Sequence, residues 1–174
     1  MRDVPDGTLP AVSGIAMPSV ETKYFGVLPY THESLFDFPQ GLPAFEDQKG
    51  FVLIESAEKA PLVFLQSIAR ASLCFVALPV QVVDKNHQLA IAPEDLEDLA
   101  LDPRRQPVVG GEVMVLALVS LHGEFLATAN LMAPIVLNVK TRRGLQAIRR
   151  DTRYSHVHPL SGQAADQSSG AEIC

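Results

Sequence analysis

His156 and His158, separated by Val157, are the only pair in the sequence with metal-like spacing. On a strand, residues i and i+2 point to one face and can share an ion. No cysteine lies nearby and no firm carboxylate partner completes a ligand set. The pair therefore reads as two surface histidines near a chain end, and no metal is assigned. Ser67, Ser72 and Ser120 are nucleophiles in name only, because none sits in a Gly-x-Ser-x-Gly elbow. The chain also lacks a phosphate loop, a Gly-x-Gly-x-x-Gly, a Cys-x-x-Cys and a His-Glu-x-x-His. The expectation is a protein without catalytic residues or cofactors, and not an enzyme.

Charge offers two further candidates. Glu94, Asp95, Glu97, Asp98 and Asp102 cluster on a short stretch. A solvated helix face is the ordinary reading of such a run. The functional one is a docking surface for a basic partner, which speeds encounter and sets specificity. Six of the fourteen basic residues, Lys140, Arg142, Arg143, Arg149, Arg150 and Arg153, also fall close together. They could contact an acidic protein or RNA phosphates, which makes an RNA-binding module on the 140–153 hairpin the alternative function. A charged edge hairpin that resists strand-to-strand aggregation accounts for them first. The net charge is −6 and the stretch has no aromatic platform, so direct nucleic-acid binding is not expected.

With 174 residues, 47% hydrophobic and 20% charged, the chain can bury one core of ordinary domain size. Cys74 lies in the apolar run 73–78 and reads as a small buried hydrophobe, while Cys174 ends a polar tail. No disulfide between them is expected, which fits a reducing compartment. No basic start precedes an apolar run of the secretory kind, and no apolar run approaches the roughly 18–20 residues that span a bilayer. The expectation is a cytoplasmic protein that does not enter membranes.

The elements that would position these residues are short. Residues 1–19 and 161–174 read as disordered ends around a single domain at 20–160. Glu21–Leu28 reads as one strand with an irregularity at Gly26. In Leu35–Phe38, Phe36 and Phe38 share a face. Pro39–Asp47 contains two prolines and a glycine, which exclude a regular element, yet Leu42 and Phe45 are too apolar for a solvated loop. That loop is expected to fold back and plug one end of the core. Strands follow at 51–55, 62–67, 73–78 and, after a turn at Asp84–His87, at Gln88–Ile91. Pro93–Ala100 reads as the one clear helix, with Pro93 at its first position and Leu96, Leu99 and Ala100 as its apolar stripe. Val113–Val119 is the most continuous apolar run and is placed centrally. Glu124–Thr128 returns as its hairpin partner. Ile135–Val139 and Leu145–Arg149 form a second hairpin, and Tyr154–Leu160 is a last irregular segment. Between 127 and 138, Asn130 and Pro134 mark a turn with no nucleophile, acid or base. The fold class is all-β, mainly antiparallel: a compact β-barrel-like single domain with one short helix.

Several short motifs occur together in order. They are Glu21-Thr22-Lys23-Tyr24-Phe25-Gly26, Phe38-Pro39-Gln40-Gly41-Leu42-Pro43-Ala44-Phe45-Glu46, Leu65-Gln66-Ser67, Phe75 to Pro79, Thr128-Ala129-Asn130-Leu131-Met132-Ala133-Pro134, Asn138, and Arg143-Gly144-Leu145-Gln146. In these, over about 20–160, the chain resembles the FliW family of flagellar assembly factors. The family pattern in the first loop is Gly-Leu-Pro-Gly-Phe-Glu. Here Ala44 replaces the second glycine, which would be strained if that position needs a positive φ. The resemblance implies a cytoplasmic, non-enzymatic protein, a monomer when free. It implies two competing partners, the translational repressor CsrA and flagellin. FliW-like proteins bind the repressor, relieve its silencing of flagellin mRNA, and bind flagellin as a chaperone. Partner contacts are expected from Gly41, Leu42, Phe45 and Glu46, from Glu97 and Asp98, and from Asn130, Leu131 and Pro134. For Phe38, Leu42, Phe45, Leu131 and Pro134, a place in the core is the competing reading.

Overall fold

The run placed centrally by its hydrophobicity becomes the longest strand in a computed structural model that describes residues 17–123 and 126–160. This strand, β7 (Val113–His122), has three neighbours. One is β6 (Cys74–Pro79); the others are β9 (Ile135–Asn138) and β8 (Leu126–Ala129). From β6 the sheet continues through β5 (Val63–Ser67) and β4 (Gly50–Glu55) to β3 (Leu35–Asp37). From β9 it continues to β10 (Gly144–Gln146). β11 (His158–Pro159) adds to β8, and every ladder is antiparallel.

Both faces of the central strands are covered. Val113, Val115 and Ala117 join Leu96, Leu99, Leu131, Val136 and Leu145 in one buried cluster. Leu116 joins Phe36, Phe38, Phe51, Leu65, Ile135 and Leu137 in another, inside the curl of the sheet. A strand buried on both faces needs no polar alternation, which is why β7 and β9 read as continuous apolar runs.

The curl nearly closes. The Asp37 amide donates to the Arg142 carbonyl at 2.8 Å, and Asp37 and Arg143 form a parallel bridge between β3 and the start of β10. The next bond of such a ladder would need an amide at position 39. Pro39 has none, so pairing stops after one bridge and the barrel stays open there.

Three sequence expectations change. Glu21–Leu28 is a hairpin, β1 (Ser19–Thr22) with β2 (Gly26–Pro29), and not one strand. The Thr22 hydroxyl accepts from the Phe25 amide and donates to the Gly26 carbonyl, closing the turn. Two short helices occur where one was expected: α1 (Val80–Val83) precedes α2 (Pro93–Asp98). Gln88–Ile91 forms no strand. Its backbone is satisfied by side chains instead: Gln106 accepts from the Ile91 amide at 2.8 Å and donates to its carbonyl at 2.9 Å, and Tyr154 Oη accepts from the Gln88 amide. The expected disordered ends fall, apart from 17–19, outside the described residues, as do Glu124, Phe125 and Cys174.

Asn138, nearly fully buried, ties the second hairpin to α2. Its Nδ2 donates to the Leu99 carbonyl at 2.8 Å, and its Oδ1 accepts from the amides of Lys140 and Thr141. Asn138→Ala would leave the Leu99 carbonyl short of a donor and two turn amides without their acceptor. We expect it to lower the unfolding free energy by about 2–3 kcal/mol in urea titration; a loss no larger than that of an ordinary surface substitution would refute this role.

Candidate partner-binding groove

The loop 39–47 is built on two left-handed residues. Gly41 has φ +70°, and a Cβ there would lie 2.6 Å from Glu46 Cα. Only glycine fits so close to the returning backbone. Ala44 also adopts a positive φ, 68°. The Phe45 amide donates to the Leu42 carbonyl at 2.7 Å, and Glu46 Oε1 accepts from the Ala44 amide at 2.9 Å. Leu42 is buried among the phenylalanines, and Phe45 lies edge-on to Phe75 with ring centres 5.3 Å apart. The loop thus plugs one end of the core, as its composition suggested.

α2 stands across from this loop. It buries Leu96 and Leu99 and leaves its acidic face outward. Gln40, Gly41, Pro43 and Glu46 from the loop, Asp95 and Asp98 from α2, and Leu145 and Gln146 from β10 surround a cavity of about 230 Å³. Among the described residues, Glu46, Asp95 and Asp98 form no ion pair. Burial, then the neighbouring Glu94 and Asp98 charges, raise the Asp95 carboxyl above the usual range. The groove is therefore acidic, with carboxylates that have no ion-pair partner among the described residues.

Of the residues expected to touch a partner, Gly41, Glu46 and Asp98 line this cavity, and Glu97 is exposed on the same helix. Leu42, Leu131 and Pro134 are buried, so their side chains serve the core and not an exposed surface, which corrects that part of the expectation. Asn130 is half-buried and its Oδ1 accepts from the Ala133 amide, which makes it a turn former. The 130–134 turn reaches the groove only indirectly, through a bond from Gln146 Nε2 to the Ala133 carbonyl at 2.8 Å. Sequence reasoning did not single out Gln40, Pro43, Leu145 or Gln146 as contacts, although all four lie inside the quoted motifs.

Most of the basic cluster is engaged by neighbours. Arg149 is buried, pairs with Asp151 at 2.6 Å, bonds the Gln88 carbonyl and stacks on Tyr154. Arg150 pairs with Glu94, Arg143 donates to the Asp98 carbonyl, Arg142 lies over Phe36, and Arg153 reaches Gln88. Ser67 Oγ donates to Gln48 and accepts from the Ala69 and Arg70 amides, so it builds a turn. Ser72 and Ser120 are exposed. Burial pushes the Cys74 thiol up to about 11, away from reactivity. Among the described residues, no group of three or more His, Cys, Asp or Glu is placed to hold a metal ion, His156 and His158 included. No described helix is long and apolar enough to cross a membrane.

The family model described as FliW protein matches residues 19–160. The chain belongs to the FliW family. The flagellar assembly factor FliW of Syntrophomonas wolfei subsp. wolfei is 32% identical over 142 residues, covering 81% of this chain and 87% of its own. That of Bacillus subtilis is 30% identical over 146 residues, covering 83% and 98%. A crystal structure of the flagellar assembly factor FliW superposes with a TM-score of 0.71 at 30% identity, covering 84% of this chain and 99% of that one. Against the FliW loop pattern, Ala44 occupies a backbone conformation that glycine adopts without strain.

Two outcomes follow from this geometry. Ala44→Gly relieves a left-handed alanine and should raise stability by about 0.5–1 kcal/mol, the steric relief exceeding the added chain entropy; a lower denaturation midpoint would contradict it. Asp95→Asn concerns pH. Because its folded pKa is raised, ionised Asp95 opposes folding above that pKa, and the penalty vanishes as pH falls below the unfolded value. The variant should therefore melt higher than wild type at pH 7 and the same at pH 3. A gain that persists at pH 3 would mean charge is not the cause.

Proposed function

We propose that this protein is a cytoplasmic, non-enzymatic regulator of flagellar assembly that binds a CsrA-type translational repressor and flagellin in competition. Similarity to FliW across residues 19–160 carries this reading, and relatives named as flagellar assembly factors support it. The acidic groove adds a physical reason. A repressor that grips messenger RNA must carry basic surface to meet phosphates, and Glu46, Asp95 and Asp98 offer it uncompensated charge. Regulation is then mass action. While this protein holds the repressor, the flagellin message is translated, and each flagellin that binds in its place returns repressor to the message. Binding and release suffice, and no bond is made or broken.

Calorimetric titration with the host's CsrA-type repressor, repeated with flagellin present, tests the reading. Tight binding that flagellin abolishes is expected. Binding to neither protein would overturn it. The double variant Glu97→Lys with Asp98→Lys should weaken repressor binding by at least ~10-fold if the acidic face is the docking surface.

A further inference from the structure

We infer that the open edge of β10 takes up an extended, basic segment of the repressor as an added strand; this rests on the reading above that such a repressor is bound. The Asn138 amide donates to the Arg143 carbonyl, the Ala147 amide to the Pro134 carbonyl and the Arg149 amide to the Met132 carbonyl. Odd-numbered residues thus face β9. The peptide groups of Gln146 and Ile148 must point the other way, and among the described residues they have no hydrogen-bond partner. β3 would occupy this edge if the barrel closed, but its pairing ends at Pro39.

Two cavities lie along the edge. The groove of about 230 Å³ flanks Leu145 and Gln146. A second, of about 540 Å³, is lined by Ile91, Pro93, Glu94, Ile148, Arg150 and Asp151. The first turn of α2 stands between them. Past Gly144, where the bridge to Asp37 ends, the free edge from Leu145 to Ile148 runs about 10 Å, enough for about four residues of a partner strand. Natural edges are commonly blunted by lysine or proline. Gly144-Leu145-Gln146-Ala147-Ile148 carries neither, and Ile148 is 59% exposed. Strand addition draws its affinity from main-chain bonds and its selectivity from side chains at alternate positions. Here Glu46, Asp95 and Asp98 select basic residues at those positions.

The test is hydrogen exchange, read by NMR on the full chain with and without the host's repressor, together with the repressor affinities of Ile148→Pro and Ile148→Ala. The Ile148 amide is not used by β9, so proline there blocks an incoming strand without removing a bond of the fold. Strand addition should slow exchange at the Gln146 and Ile148 amides by ~10-fold or more. Ile148→Pro should weaken binding by at least ~10-fold, and Ile148→Ala by no more than ~2-fold. Repressor bound with both amides exchanging unchanged overturns the inference while leaving the proposed function standing, as does a folded Ile148→Pro that binds like wild type. If Ile148→Pro fails to fold, the wild-type exchange decides alone. Failure of wild type to bind the repressor defeats the proposed function, and this inference with it.

Discussion

The bridge between Asp37 and Arg143, in which the Asp37 amide donates to the Arg142 carbonyl, is where the curled sheet meets its own beginning. Its two ends anchor different parts of the groove. Asp37 leads into the 39–47 loop, and Lys49, just past it, donates from Nζ to the Pro39 carbonyl. Arg142 sits in the turn that Asn138 organises, and Asn138 also holds the carbonyl of Leu99, the residue that caps α2. Loop, helix and β10 are thus positioned from one turn, although they come from distant parts of the chain. The open barrel and the groove share a cause: one bridge joins the ends, and Pro39 forbids the next.

The strands were legible because their apolar runs are long for their length and bounded by proline or glycine. β4, β5, β6 and β9 could be read to within a residue at each end, while β7 runs on to His122, three residues past the apolar run. Gln88–Ile91 was misread because its composition is that of a strand while its hydrogen bonds come from Gln106 and Tyr154, and a side chain that imitates a neighbouring strand leaves no periodic trace. The β1–β2 turn was hidden in the same way, closed by the Thr22 hydroxyl with Gly26 just after it. In the groove, Gly41 and the acidic helix were each visible as local chemistry. That they face one another was not, because the packing that joins them spans more than fifty residues and no local pattern encodes it. Leu42 and Leu131 show the converse: a motif position can be kept apolar by the core alone.

Asp95 in the groove and alanine at position 44 act against the fold. Asp95 is crowded by like charges, and Ala44 holds a backbone conformation that its Cβ resists. Buried aromatic contacts offset this locally: Phe38 meets Phe51 edge-on at 5.1 Å, and Phe45 meets Phe75. The strained, charged wall is thus mounted on one of the most densely aromatic parts of the core. Such an arrangement holds the acidic wall fixed while its carboxylates keep no ion-pair partner among the described residues.

The double burial of β7 and β9 bears on how the chain finds its fold. In a sheet wet on one face, sliding a strand by one residue would drive polar side chains into the core, and that penalty locks the alignment. Here a one-residue slide of Ile135-Val136-Leu137 would only exchange one apolar core for the other. Polarity cannot choose between the two alignments, so the choice falls to the ends of the strand. Asn138 would lose the Leu99 carbonyl and enter an apolar face, and Pro134, which has no amide to donate, would shift to a position where the ladder needs one. Two residues outside the apolar run therefore act as its alignment pins, and the run itself is free to drift in sequence as long as they stay.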